Sequence, residues 1–162
     1  MLRMLADGYH RLLKVAITLL MATLVVPVTM QVLSRYTGVI PRYIWTEEIA
    51  RFCFIWIIML GAIIGVREGT HFDLDLLPHS KNPRIEAVMR LIVRLGVLVA
   101  ALIFLVYGWQ FVRFGWEQTS EIAELPMLWI FIAWPLAGLS WLLFVGEKVM
   151  DDLRLLSGRT PP

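Results

Sequence analysis

Four stretches of the chain contain no charged residue: 15–34, 52–66, 95–112 and 125–146. At 1.5 Å of rise per residue, about 20 apolar residues cross the roughly 30 Å hydrocarbon core of a bilayer. Three stretches reach or approach that length. The second has only 15 residues, and it becomes long enough when its helix starts at Trp45 and carries Glu47, Glu48 and Arg51 at one end. The pattern predicts an all-α integral membrane protein of four transmembrane helices, at about 13–35, 45–66, 87–112 and 125–148, joined by short loops. Residues 1–156 then form a single membrane domain, and 157–162 read as a disordered tail.

Local signals refine these elements. Pro27 falls well inside the first span, and Pro135 falls inside the fourth with Gly138 after it, so both helices are expected to bend. Thr46 is placed to cap the second helix, with Glu47 and Glu48 in the first turn where the helix dipole favours anions. Gly61 and Gly65 form a small-xxx-small pair suited to close helix contact. Glu117, Glu121 and Glu124 follow helical spacing and predict a short amphipathic outer helix, with either a solvated face or a docking patch. The N-terminus has the basic residues of a signal peptide (Arg3, Arg11, Lys14). Its apolar stretch is about 20 residues, however, against 7–15 in a signal, and no small-x-small site follows, so it reads as a retained span.

Composition agrees, with 59% hydrophobic and 17% charged residues against about 25% charged in soluble domains. No room remains for a second, water-soluble domain. A net charge of +2 with dispersed basic residues gives no argument for nucleic acid, and the lone Cys53 excludes a disulfide framework. Eleven of the 15 Lys and Arg fall at the N-terminus, in the middle loop with the start of the third span, and in the C-terminal tail. The other four are Arg35, Arg42, Arg51 and Arg113. The positive-inside rule places both termini and the middle loop in the cytoplasm. Tyr36, Tyr43, Trp45, Tyr107, Trp109, Trp116 and Trp129 then mark the outer headgroup level.

Candidate chemistry is confined to the rims. Arg51 follows Glu47 by four residues and Glu48 by three, so all three can pair on one side of the helix. Three readings are open: a solvated helix end with a local salt bridge, a polar contact that fixes a partner helix, and an ion site. In the middle loop, Arg67 is followed by His71, Asp73 and Asp75 alternating with Phe72, Leu74 and Leu76. A hard metal could use such a set, but a loop on the membrane surface or against a partner is the preferred reading, and no metal is assigned. His10, His71 and His79 all lie outside the predicted spans, against a haem anchor in its usual form. No Gly-rich phosphate loop, metalloprotease motif, mid-membrane acid or inverted repeat occurs. The chain reads as a non-catalytic subunit, without a cofactor, that braces a larger assembly.

One stretch has a counterpart in a known family. Trp45-Thr46-Glu47-Glu48-Ile49-Ala50-Arg51, then Trp56, Leu60-Gly61-Ala62 and Arg67-Glu68-Gly69-Thr70-His71-Phe72-Asp73-Leu74-Asp75, resembles the small, DctQ-like membrane subunit of tripartite ATP-independent periplasmic (TRAP) transporters. Leu125-Pro126-Met127-Leu128-Trp129 with Pro135 and Gly138 is similar to that family's fourth helix. The resemblance implies a scaffold subunit in the bacterial inner membrane. A large TRAP membrane subunit would carry the substrate and sodium sites, and a periplasmic substrate-binding protein would deliver an organic acid. Trp45, Glu47, Glu48, Arg51, Gly61 and Gly65 would then be subunit-interface residues. Arg67, His71 and Asp73 would make cytoplasmic loop contacts, and Glu117, Glu121 and Glu124 would dock the binding protein. Membrane lipids would surround the rest. The rival readings are a stand-alone homodimeric four-helix exporter and a membrane redox anchor.

Overall fold

The computed structural model describes residues 2–37, 41, 43–69, 83–120 and 124–156. They form α1 (Leu2–Thr37), α2 (Trp45–Glu68), α3 (Pro83–Trp116), α4 (Leu128–Phe131) and α5 (Ala133–Leu156). No strand occurs among them. Four helical segments are long and apolar enough to cross a membrane: Ala6–Thr37, Trp45–Glu68, Leu91–Trp116 and Leu128–Val149. The chain is therefore a multi-pass membrane protein. Alternate helices run in opposite directions, so the start of α1 and the end of α5 share one end of the molecule. That end is called the terminal end below.

The helices stand in an open row, α1–α2–α5–α3, with α4 continuing the line of α5. α3 packs along α5, α5 along α2, and α2 along α1. Each edge helix buries one stripe. On α1 the stripe includes Ala6, Leu13, Pro27 and Ser34, and on α3 it includes Val97, Ala101, Gly108 and Gly115. Leu12, Leu19 and Val26 on α1, and Ile92, Val99 and Val106 on α3, stay exposed. In a bilayer these face lipid or another protein. Lipid tails are as apolar as Leu, so the seams need close contact rather than hydrophobic burial to hold.

That contact is closest between α3 and α5. A Cβ on Gly138 would lie 2.7 Å from the Ala101 carbonyl oxygen and 2.8 Å from the Leu105 amide nitrogen. A Cβ on Gly108 would lie 2.8 Å from the backbone nitrogen of Pro135, and one on Gly115 would meet the Phe131 ring. Ala101, Ala133 and Ala137 are fully buried in the same core. Phe104 fills the space beside them, its ring centroid 4.8 Å from that of Trp141 and 5.1 Å from that of Trp134. By contrast, a Cβ on Gly61 would make an ordinary 3.6 Å contact with Ile17 Cδ1.

Several local expectations change. Near Pro135 there is a break between α4 and α5 at Ile132, whose backbone stays right-handed helical (φ −65°, ψ −20°). Pro135 has no N–H for the Phe131 carbonyl and its ring crowds that group, so the helix yields one turn earlier. The Trp56 indole N–H donates to the Trp129 carbonyl next to this break, at 2.9 Å. α1 runs continuously through the buried Pro27. Thr46 makes no cap: its hydroxyl donates to the Tyr43 carbonyl at 2.7 Å, within a turn that leads into the helix. The outer amphipathic helix is also corrected. The described residues of 117–124 are not helical. Ser120 N–H donates to the Leu125 carbonyl at 2.8 Å, and Met127 N–H to the Gln118 carbonyl at 2.9 Å, which makes a hairpin-like connection. These backbone bonds satisfy the loop in a way that an isolated turn of helix could not.

The terminal end carries a polar clasp. Gly69 ends α2 in the left-handed conformation (φ 79°), and its N–H donates to the Gly65 carbonyl at 3.0 Å. Glycine enters that region without a steric penalty. Lys148 of α5 donates from Nζ to the Arg67 carbonyl at 2.7 Å and the Val66 carbonyl at 3.2 Å, so a cation sits on the negative end of the α2 dipole. Arg94 of α3 donates to the Lys148 carbonyl. Arg67 pairs with Asp7 of α1 and lies 4.7 Å from the Phe144 ring centroid. Glu68 accepts from Lys14 at 2.6 Å and lies 3.3 Å from His10 Nε2. His10 thus lies on α1 inside a candidate span, not outside the spans as the sequence suggested, and it faces a carboxylate. Tyr9 and Ser140 share a hydrogen bond of 2.8 Å between α1 and α5.

Two outcomes follow. Gly138→Val should lower stability in detergent by about 1–3 kcal/mol through overpacking, whereas Gly96→Ala, with nothing within 4 Å of its Cβ position, should leave the melting temperature unchanged. Lys148→Met, which strips a cation from two helix-end carbonyls, should cost about 1.5–3 kcal/mol. Lys14→Met should cost at most about 1 kcal/mol, because Lys14 and Glu68 are 54% and 37% exposed. Thermal unfolding of the purified variants reads both contrasts.

Candidate functional site

The charged rim of α2 stands at the end opposite the termini. The helix begins at Trp45, so Glu47, Glu48 and Arg51 occupy its first two turns. The structure separates them. Glu47 and Arg51 form an i,i+4 pair at 3.6 Å, with side chains 70% and 63% exposed. Glu48, one residue round the helix, points inward and is 8% exposed. Its carboxylate accepts a hydrogen bond from the Ser120 hydroxyl of the α3–α4 connection. The three residues therefore do not share a side, as their spacing had suggested. A step of 100° per residue carries Glu48 off the face that Glu47 and Arg51 share. One pair is left open at the rim, and one carboxylate anchors the neighbouring loop.

Trp45 is 41% exposed, with its ring centroid 6.2 Å from that of Tyr43. Glu117 and Glu124 are exposed on the α3–α4 connection at this same end, and Glu124 has a positive φ of 51°. Gly61 lies against α1 and Gly65 is buried, so both sit in seams within the chain. Arg67 sits in the last turn of α2 and is engaged by Asp7 and Phe144. His71, Asp73 and Glu121 lie outside the described residues. Among the described residues, no group of three His, Cys, Asp or Glu side chains converges as a metal site would require.

Residue patterns alone missed several participants. Ser120 carried no spacing signal, since its role depends on the hairpin folding back over α2. Asp7, Lys14, Glu68, Lys148 and Arg94 were legible as rim charges but not as partners. Gly108 and Gly115 are seven residues apart and share a helix face, a spacing that could have flagged the α3 seam.

Comparison with known proteins places this geometry in context. Residues 24–155 match the family described as tripartite ATP-independent periplasmic transporters, DctQ component. The chain is 25% identical over 163 residues to the sialic acid TRAP transporter small permease protein SiaQ of Vibrio cholerae, covering 98% of this chain and 89% of that one. It is 25% identical over 113 residues to the C4-dicarboxylate TRAP transporter small permease protein DctQ of the same organism, covering 63% of this chain and 49% of that one. It is 30% identical over 105 residues to the sialic acid TRAP transporter permease protein SiaT of Haemophilus influenzae, where the match takes 65% of this chain and 17% of the much longer relative. Four apolar helices and a family match over most of the length agree: the chain belongs to the DctQ component of the tripartite ATP-independent periplasmic transporters, a family of transporter subunits rather than enzymes.

Proposed function

We propose that this chain is the scaffold small subunit of a TRAP secondary transporter. It binds a large transport subunit that takes up an organic acid by a sodium-driven, binding-protein-dependent route. The observation that carries this reading is the open row. Helices arranged edge to edge form a slab with two apolar faces. The polar groups named above gather at the two ends, so the row lacks the interior polar path that a carrier working alone requires. A slab of this kind can stiffen and widen a neighbour in the plane of the membrane. The long relatives SiaT and the isethionate TRAP transporter permease protein DctMQ of Oleidesulfovibrio alaskensis support a large membrane partner. In each, the matching segment is under a fifth of the chain, at 17% and 18%. The sodium site would belong to that partner. The names of the small permease relatives, which specify sialic acid and C4-dicarboxylates, support an organic acid as cargo.

In this reading the protein lies in the bacterial inner membrane with the terminal end in the cytoplasm, as the eleven basic residues grouped there favour. The Glu47–Arg51 pair and Trp45 then form an open contact for the large subunit near the periplasmic side. Glu117 and Glu124 face the binding protein. Glu48 plays a different part, because its contact lies within the chain.

Co-expression with the large subunit of a TRAP system tests these roles. The double variant Glu47→Gln, Arg51→Gln should reduce recovery of the large subunit on an affinity-tagged small subunit, with the melting temperature of the small subunit alone unchanged. Glu48→Ala should instead lower that melting temperature, by about 1.5–3 kcal/mol in stability for a lost charge-assisted hydrogen bond. Transport by the chain reconstituted alone as a homo-oligomer would defeat the scaffold reading.

A further inference from the structure

A cleft of about 380 Å³ opens between α1 and the start of α2, at the end opposite the termini. Its wall on α1 includes Gln31, Ser34 and Arg35, and its wall on α2 includes Ile44, Thr46 and Glu47. Two of these groups are unusual for a membrane helix. Ser34 is 9% exposed and its hydroxyl has no hydrogen-bond partner among the described residues. Gln31 Nε2 is likewise buried without one. Other hydroxyls of α1 fold back onto their own helix: Thr18 donates to the Lys14 carbonyl at 2.9 Å, and Thr23 to the Leu19 carbonyl at 2.9 Å. Ser34 forgoes that bond. A buried donor left unmet costs about 1–3 kcal/mol, and more where no water reaches it. The cleft therefore calls for a ligand rich in acceptors.

The charge balance specifies the ligand further. Glu47 is the carboxylate at the mouth, and Arg51 offsets it at 3.6 Å. Arg35 has no carboxylate partner among the described residues, so its guanidinium sets the local charge. A guanidinium, an amide N–H and a hydroxyl set one turn apart on α1 suit the oxygens of a phosphate. Tyr43, 46% exposed, lines the site, and Tyr36 at 81% and Trp45 at 41% exposure adjoin its lining residues in sequence, which marks it as headgroup depth. About one turn deeper on α1, exposed Val28 offers apolar surface for an acyl chain.

We propose that the α1–α2 cleft binds the phosphate group of a phospholipid, held by Arg35, Gln31 and Ser34. The site stands on the geometry of this chain and does not depend on the transporter reading. Its position at the lipid boundary favours a phospholipid over free phosphate, which offers the same oxygens.

Native mass spectrometry of the full chain in mild detergent tests it, with dioleoylphosphatidylglycerol, dioleoylglycerol and inorganic phosphate as probes. The wild-type protein should retain the phospholipid through activation that strips dioleoylglycerol. Arg35→Gln and Gln31→Leu should each lose that retention several-fold, and Arg35→Lys should restore part of it. Arg113→Gln, at the same rim on α3, should match wild type. Ser34→Leu fills the base of the cleft while keeping its charge, and it should lose retention too, with an unchanged melting temperature showing that it is folded. Equal retention of phospholipid by the cleft variants and wild type would overturn the proposal, as would equal retention of dioleoylglycerol. Displacement of the lipid by inorganic phosphate would overturn the assignment to lipid.

Discussion

Inside a bilayer every polar group must find its partner within the protein, and helices gain nothing by hiding apolar surface from lipid. That constraint shapes this molecule. The seam of α3 with α4 and α5 holds because Gly115, facing α4, and Gly108 and Gly138, between α3 and α5, bring the backbones close enough for dense van der Waals contact. The carbonyls freed at the α2 terminus are taken by Lys148, and a carbonyl beside the α4–α5 break is taken by Trp56. Remove these devices and little else would favour one arrangement of four greasy helices over another.

A row, rather than a closed bundle, follows from where the small residues and hydrogen bonds lie. The central helices α2 and α5 contact neighbours on both sides, while α1 and α3 each spend one stripe on the row. The clasp at the terminal end crosses all four: Asp7 and Lys14 from α1, Arg67 and Glu68 from α2, Arg94 from α3, and Lys148 from α5. Exposed ion pairs contribute little singly; the clasp contacts join each helix to its neighbour in the row, and Tyr9 with Ser140 adds a contact between α1 and α5.

The number of spans, their approximate limits and the charged ends could be read directly from hydrophobic runs, because the bilayer imposes a length that the sequence must display. The pairing of α1 with α2, and of α3 with α5, could not. Those pairings rest on single glycines and on rim charges whose partners are far apart in sequence, such as Arg67 with Asp7 and Ser120 with Glu48. Spacing placed Glu47, Glu48 and Arg51 in one group, yet it could not foresee a loop folding back to take Glu48. Helical periodicity in Glu117, Glu121 and Glu124 also misled. Three acids at the right interval do not make a helix when backbone bonds to Leu125 and Gln118 close a hairpin instead.

Both ends of the slab hold buried polar atoms without a partner among the described residues, His10 Nδ1 and Trp141 Nε1 toward the terminal end and Gln31 Nε2 and Ser34 Oγ at the other, and the latter pair lines a cleft. At the terminal end the clasp residues meet one another across helices. At the opposite end Gln31 and Ser34 are buried without partners, and Glu47 with Arg51 is exposed. An open end gains stability from whatever enters it, whether lipid in the cleft or a neighbouring subunit against the α2 rim. Because α1 also forms an outer edge of the row, an occupant of the cleft would touch the same edge that a neighbouring subunit could approach. Binding at one would then alter the surface presented at the other, since α1 carries both the cleft wall and the exposed stripe through Leu19 and Val26.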